Sequence, residues 1–244
     1  MNLDLIKEEF DNYVKNFDME SYDINYKYKH SYRVYKISES ISEGLNLNGE
    51  DILLASVIGL LHDIGRFEQL KEYSSYNDIN LDHADYGAKL LFQHNLIKKF
   101  NIDKKYYDII EFAIRNHNKY EIEDTNDNRK LMFAKIVRDA DKIDILKAHA
   151  IYCDYKIQET EEDISNKVKD TFYNEKQINR IDKKTSNDGI LLLLALIFDI
   201  NFKVSAYLIE DGNIVNELYD KLKNKDRFKE FFNYIKIYLD EKVK

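Results

Sequence analysis

The sequence predicts an all-α fold. Proline is absent from the 244 residues and glycine occurs at 7 positions, so the residues that most disfavour a helix interior are rare. Apolar residues recur at three- and four-residue spacing through most of the chain, which is the pattern of helices packed on a core. With 44% hydrophobic and 34% charged residues, the composition is that of a folded protein rather than a disordered or fibrous one.

Capping residues mark the ends of several predicted helices. The third helix ends at Gly65, because a residue without a side chain suits a helix C-terminus. The fourth begins at Asp82, an N-cap residue, with Asp85 three residues later, which places His83 in its first turn. The sixth begins within 126–128. In chain order the predicted helices cover about 3–17, 23–45, 50–64, 82–99, 103–118, 128–157, 161–175, 186–209, 213–223 and 226–242.

Charge and hydropathy exclude several classes of partner. The 37 basic residues are outnumbered by 45 acidic ones, for a net charge of −8, so the chain lacks the basic footprint of a nucleic-acid-binding protein. The apolar run 190–200 contains Asp199 and is far shorter than the ~20 residues of a membrane span. The single cysteine, Cys153, cannot form an intramolecular disulfide, and residues 1–10 are amphipathic and acidic, unlike a signal peptide. We therefore expect a cytoplasmic protein without a membrane or nucleic-acid partner; a homo-oligomer stays open.

Four histidines and two aspartates form one ordered series along the chain. Each stands at helical spacing from apolar residues, as His30 does from Val34 and Ile37, so each is expected to face the core. A single histidine on such a stripe is usually a hydrogen-bonded core residue. A buried aspartate needs a partner, however, and a whole series of such residues is better explained as the ligands of a metal centre. The series is His30, His62, Asp63, His83, His117 and Asp141.

The adjacent residues His62 and Asp63 anchor this series. Neighbouring side chains on a helix point about 100° apart, so both can face one site only where the helix ends. The apolar run 52–61 predicts a buried helix before them, and Gly65 is the predicted ending. The pair is therefore expected at a buried helix end.

On these residues the chain resembles the HD-domain superfamily of metal-dependent phosphohydrolases. The resemblance runs from about His30 to about Leu146, roughly half the chain, and the order of the whole set makes it specific. It implies an HD-domain helical bundle with additional C-terminal helices. We expect a single HD-type domain over 1–244, with a metal-binding core at about 23–157 and a helical extension at about 158–244. The matching segments are HSYRV (30–34), LLHDIGR (60–66), DHADYG (82–87), NHN (116–118) and DADKID (139–144).

The set is most similar to the two-metal branch of that superfamily. By this resemblance the first ion binds His30, His62, Asp63 and Asp141, and the second binds Asp63, His83 and His117. Asp63 would bridge both ions, and it is the predicted catalytic residue because it positions the attacking water. Imidazole together with carboxylate suits two divalent transition-metal ions, namely Mn, Fe, Co, Ni or Zn, better than Mg or Ca.

A phosphorylated substrate also needs cations from the protein. Lys142 adjoins the last aspartate of the series and is the first candidate for a phosphate contact. Arg66, after the His-Asp pair, is the second, and Arg33 lies one turn beyond the first histidine. Ordinary solvated or ion-paired charges are the alternative for all three. Segment 66–81 is predicted to be a loop over the site, with tyrosine and hydroxyl groups that could contact a base or sugar.

The predicted activity is hydrolysis of a phosphate ester or anhydride of a small metabolite or nucleotide by a metal-activated water. Mixed-valent di-iron oxygenases of the same superfamily carry the same ordered set and are the alternative. The chain lacks the Glu-Asp pair of guanosine tetraphosphate hydrolases and the glutamate of nucleoside-monophosphate phosphatases at the corresponding place. Without proline it also lacks the Gly-Tyr-Pro signature of cyclic-di-nucleotide phosphodiesterases. Dinucleoside polyphosphate hydrolases and cyclic-nucleotide phosphodiesterases both fit the ligand order.

Overall fold

The structure, a computed structural model, describes residues 1–152 and 159–244. Within those ranges every regular element is helical and none is a strand, which confirms the predicted all-α class. The chain forms two compact units, Met1–Asp141 and Lys142–Lys244. All six residues of the histidine-aspartate series lie in the first unit. Whether the whole chain acts as a single HD-type domain stays a prediction.

The first unit is a bundle of helices around an apolar core. The most extensive helix pair in it is α2 with α3. At Gly59 on α3 an added Cβ would lie 2.9 Å from the Val34 carbonyl oxygen, so only glycine lets α3 approach α2 this closely. Short 3₁₀ and π turns join some of the helices. The α-helices are α1 (Leu3–Val14), α2 (Tyr22–Gly44), α3 (Gly49–Leu61), α4 (Ile64–Tyr73), α5 (His83–Ala88), α6 (Tyr107–Asn116) and α7 (Asn128–Lys147), whose last residues belong to the second unit.

The predictions around Gly65 were wrong. Gly65 does not end a helix; it lies in the first turn of α4, and its φ is not positive. An added Cβ there would collide with the backbone of His83 and Gly87, so this glycine permits contact between α4 and α5 instead. Segment 66–81 is accordingly not all loop, since α4 continues to Tyr73. The loop that remains begins at Ser74, which has a left-handed backbone conformation.

Other helix boundaries are closer to the prediction. The Asp82 side chain accepts hydrogen bonds from the backbone N–H groups of Ala84 and Asp85, which confirms it as the N-cap of α5. Asp127 accepts from the N–H groups of Arg129 and Lys130 at the start of α7. The predicted fourth helix is shorter than expected as an α-helix, because α5 passes into a π turn after Ala88. The end of the predicted helix 128–157, together with Cys153, lies outside the described residues.

The second unit is a separate small bundle. Its α9 begins with a capping box, in which Thr185 and Asp188 exchange hydrogen bonds between side chain and backbone. The predicted single helix 186–209 is divided, because 3₁₀ geometry replaces α geometry after Leu194. Its α-helices are α8 (Asn166–Tyr173), α9 (Ser186–Leu194), α10 (Lys203–Asp211), α11 (Ile214–Asp220) and α12 (Lys225–Val243). In the part of the chain that is described, no helix combines the length and apolar character that crossing a bilayer requires.

Candidate metal centre

Six helices, α2 to α7, bring the six predicted ligands together. His30 lies on α2, His62 and Asp63 join α3 to α4, and His83 begins α5. His117 follows α6 directly, and Asp141 lies on α7. The side chains of the four histidines and Asp63 are at most 2% exposed, whereas that of Asp141 is 15% exposed. Asp141 is thus the ligand candidate most exposed to solvent.

The backbone at Asp63 explains how two neighbouring side chains face one site. Asp63 has φ −101° and ψ 17°, between the last residue of α3 and the first residue of α4. This conformation lies outside the helical region and turns the chain between the two helices. The expected helix end is present, but Asp63 itself makes it, and Gly65 serves the packing of the next helix.

The two carboxylate oxygens of Asp63 face different groups of histidines. Oδ2 lies 3.5 Å from Nε2 of His30 and 3.6 Å from Nε2 of His62. Oδ1 lies 3.1 Å from Nε2 of His83 and 3.5 Å from Nε2 of His117. One carboxylate thus lies between two sets of nitrogen atoms, which is the arrangement of a ligand shared by two ions.

Asp141 completes the first of these two sets. Its Oδ1 lies 3.1 Å from Nε2 of His30 and 3.7 Å from Nε2 of His62. Among the described residues, the groupings that could hold a single ion include His30, His62 and Asp63 on one side and Asp63, His83 and His117 on the other. A further grouping, His62, His117 and Asp141, takes residues from both sets. The sets expected from the sequence are therefore adjacent in space; their role as ligands stays a prediction.

In three of the histidine rings, a hydrogen bond at Nδ1 shows that Nε2 is the unprotonated nitrogen. Nδ1 of His62 lies 2.7 Å from the Gly59 carbonyl oxygen, and Nδ1 of His117 lies 2.7 Å from that of Ile114. Carbonyl oxygens only accept hydrogen bonds, so Nδ1 carries the proton in both rings. Nδ1 of His83 lies 2.6 Å from the Asp78 carboxylate, which gives the same tautomer. In the neutral rings the Nε2 lone pairs therefore point into the cluster.

This arrangement fits metal ions and is hard to explain otherwise. Nε2 of His83 and Nε2 of His117, both unprotonated in these tautomers, are 3.0 Å apart. Two lone pairs that face each other repel, and a cation shared between them removes that cost. Oδ1 of Asp63 is also buried without a hydrogen-bond partner among the described residues. A buried carboxylate oxygen of this kind needs a positive partner.

The pKa values favour the deprotonated ligand forms. Burial alone would raise the pKa of Asp63, but the Lys27 ammonium and the His62 ring outweigh it, so this pKa lies well below its usual range. Burial also acts to raise the pKa of Asp141, but the adjacent His30 and His62 rings outweigh it and hold this pKa well below its usual range. Burial, with smaller contributions from neighbouring histidines, lowers the pKa of His117 to about 4. Near neutral pH these three groups are in the forms that bind a metal.

Two cations adjoin the ligand atoms, and only one of them was predicted. The Lys27 Nζ lies 2.7 Å from Oδ2 of Asp63, and the sequence analysis did not select it. Nη2 of the predicted residue Arg66 lies 2.9 Å from Nε2 of His83. Arg66 is held in place by Gln69 and by Asp78, whose Oδ1 lies 3.2 Å from its Nη1.

The other two predicted substrate contacts have different surroundings. The Arg33 guanidinium lies 5.6 Å from the ring centre of Tyr26, which in turn stacks on His30. In the second unit, the Lys142 ammonium forms an ion pair with Asp199 at 2.7 Å. Substrate binding by Arg33 and Lys142 stays a prediction.

Arg138 positions the segment that carries His117. It is the largest fully buried side chain of the described residues. Its guanidinium donates to the backbone oxygens of Asn116 at 2.8 Å, His117 at 3.4 Å and Lys119 at 2.6 Å, and also to that of Tyr120. The carbonyls of Asn116 and His117 lie at the C-terminal end of α6, where the helix dipole is negative, so the buried guanidinium satisfies them and fixes the turn that follows.

We expect Arg138→Met to weaken binding of the second ion and to lower the free energy of unfolding by roughly 3 kcal/mol, because the buried carbonyls of Asn116 and His117 lose this donor. Metal affinity should be measured by titration and stability by urea unfolding. Arg138→Lys, which keeps the charge but not the planar set of donors, should have an intermediate effect. A folded Arg138→Met protein that binds both ions with unchanged affinity would show that Arg138 serves stability alone.

Comparison with protein families agrees with this geometry. The family model described as HD domain matches residues 28–146, a stretch that contains all six ligand candidates. HD domains bind divalent metals, and the family includes metal-dependent phosphohydrolases. Comparisons with curated proteins and with solved structures found no match. The family match identifies residues 28–146, just under half of the chain, as an HD domain.

Proposed function

We propose that this protein is a metal-dependent phosphohydrolase that hydrolyses a phosphate ester or anhydride of a small metabolite or nucleotide. The observation that carries the proposal is the Asp63 carboxylate, which presents one oxygen to His30 and His62 and the other to His83 and His117. Two divalent transition-metal ions bound there would supply Lewis-acid activation of a water molecule and of the phosphoryl oxygens. No serine or cysteine nucleophile is then needed.

The protein's own groups have distinct tasks in this proposal. Asp63 keeps the two ligand sets at a fixed separation and orients the attacking water, as a buried side chain with little freedom can. Carbonyl and carboxylate acceptors on Nδ1 hold the rings of His62, His83 and His117. Asp141 is the most exposed of the six, so we expect substrate and water to enter beside it. Because the net charge is −8, the protein as a whole does not attract phosphate, and only cations close to the site can do so. This favours a small substrate over a nucleic acid.

The test is elemental analysis combined with an assay of hydrolysis. Protein purified without chelators or immobilised-metal columns should contain close to two transition-metal ions per chain. With Mn or Co added, it should hydrolyse a generic phosphoester, and chelation should abolish that turnover. Two ions per chain without hydrolysis of any phosphoester or anhydride would contradict the proposal.

The alternative oxygenase gives a different result in the same preparation. A mixed-valent di-iron enzyme would contain two irons, absorb visible light and consume O₂ with its substrate. Metal-stimulated hydrolysis without O₂ consumption would exclude it.

A further inference from the structure

Lys27 and Arg66 place two buried positive charges against the ligand cluster. Lys27 is 8% exposed and Arg66 is 7% exposed. The ammonium of Lys27 contacts Oδ2 of Asp63 and the guanidinium of Arg66 contacts His83, and both charged groups lie 5.7 Å from the ring centre of Tyr76. Buried lysine and arginine need anionic partners, and here both face a centre that would itself be cationic once metal binds. An anion that enters the site would pair with both.

The guanidinium of Arg66 has one edge anchored outside the cluster and the other edge turned toward the ligand candidates His83 and Asp63. Its Nη1 donates to Gln69, to the Tyr76 backbone oxygen at 3.2 Å and to Asp78 at 3.2 Å. Its Nε is buried without a hydrogen-bond partner and lies 3.8 Å from Oδ1 of Asp63. The Nε and Nη2 groups therefore face the ligand cluster as a fixed pair of donors. Such a pair matches two oxygens of one phosphoryl group.

The charges around the cluster do not balance. Two divalent ions with Lys27 and Arg66 would bring six positive charges, while the carboxylates of Asp63, Asp141 and Asp78 bring three negative ones. In a buried site such an excess is strongly unfavourable unless an anion compensates it. A dianion compensates it better than a monoanion does.

We infer that Lys27 and Arg66 bind the terminal phosphoryl group of the substrate and make the site selective for a phosphate dianion over a phosphodiester. The inference rests on the proposed hydrolase function. A terminal phosphoryl group, in a monoester or at the end of a polyphosphate, has three non-bridging oxygens and two negative charges near neutral pH. A diester has two such oxygens and one charge. The terminal group therefore offers one more oxygen and one more negative charge for the ions and the donors of Lys27 and Arg66 to share.

The first measurement compares two esters with the same leaving group. The Mn-loaded protein should hydrolyse p-nitrophenyl phosphate with a kcat/KM at least about 10-fold higher than that for bis(p-nitrophenyl) phosphate. Lys27→Met and Arg66→Met should each lower kcat/KM for the monoester by about 10- to 100-fold, which is the usual worth of a buried charged hydrogen bond. Hydrolysis of the diester should fall by less than about threefold. Lys29→Met is the matched control, since Lys29 is exposed and lies on the same helix.

A second measurement separates phosphate binding from turnover. Calorimetric titration of the metal-loaded proteins with inorganic phosphate should show a loss of affinity of about 10-fold or more in Lys27→Met and Arg66→Met, and none in Lys29→Met. Metal content, measured on the same samples, should not fall in Lys27→Met, because a competing cation has been removed from Asp63. If Lys27 were only a counter-ion of Asp63, metal affinity would change while phosphate affinity stayed the same.

The outcomes distinguish this inference from the function it rests on. Preference for the diester, or unchanged phosphate affinity in both folded variants, would overturn the inference and leave the hydrolase proposal standing. A protein with two ions that hydrolyses neither ester nor any anhydride would overturn the hydrolase proposal. Loss of phosphate affinity in both variants, together with loss of monoester turnover, would support both.

Discussion

Replacing Asp63 with alanine should remove both metal ions and all metal-dependent turnover. Each oxygen of this carboxylate faces its own pair of histidines, at 3.1 to 3.6 Å, so one substitution takes a ligand from both sets. It also leaves the Lys27 ammonium buried without the carboxylate it contacts, which opposes cation binding further. Elemental analysis after gel filtration and an assay of phosphoester hydrolysis would measure both effects.

Asp63→Asn sharpens this experiment because it preserves the volume of the side chain. An amide offers one oxygen and one NH₂ group, and the NH₂ group cannot bind a metal. We therefore expect at most one ion per chain and turnover reduced by more than about 100-fold. Asp108→Ala is the control, since Asp108 lies on α6 with 84% of its side chain exposed. Retention of two ions in a folded Asp63→Ala protein would rule out the shared-carboxylate assignment.

Local signals were sufficient where a structural feature depends on nearby residues. The all-α class follows from the lack of proline and from helical periodicity, and the described residues confirm it. The N-cap at Asp82 depends on a side chain and two backbone groups within three residues, so it could be predicted from the sequence. Both features involve contacts that the chain makes with its immediate neighbours.

Gly65 shows where local reasoning fails. A glycine after a buried apolar helix suits either a helix end or a close contact between helices, and the sequence pattern is the same in both cases. The choice depends on the backbone of His83 and Gly87, which approaches from elsewhere in the chain. Because Gly65 was assigned to a helix end, the following helix α4 was assigned to a loop.

In the candidate site, too, some features could be predicted from the sequence, whereas others depend on contacts between distant parts of the chain. The six ligand candidates could be selected from the sequence because their residue types and order are distinctive. Their supporting partners could not, since Asp78 and Arg138 act through hydrogen bonds to groups that only the folded chain brings near. The sequence contains one weak indication of Lys27, because this residue lies three positions before His30, on the same face of α2. A buried lysine one turn from a ligand candidate is thus a feature to examine in similar sequences.

Replacing His117 with alanine should remove one ion and spare the other. Nε2 of His117 contacts Oδ1 of Asp63 and Nε2 of His83, which belong to the second set. The first set, on Oδ2 of Asp63, keeps all of its donors. We expect metal content to fall from near two ions to near one per chain, with turnover reduced by about 100-fold or more, because one ion no longer clamps the phosphoryl group.

Folding must be measured alongside metal content, because His117 is buried and its loss leaves a cavity. A decrease of roughly 2 kcal/mol in the free energy of unfolding of the metal-free protein is expected and would not by itself release the first ion. His94→Ala is the control, since His94 is exposed. Unchanged metal content and activity would make His117 an ordinary core histidine. Loss of both ions would contradict the division into two sets that meet at Asp63, since the first set does not include this ring.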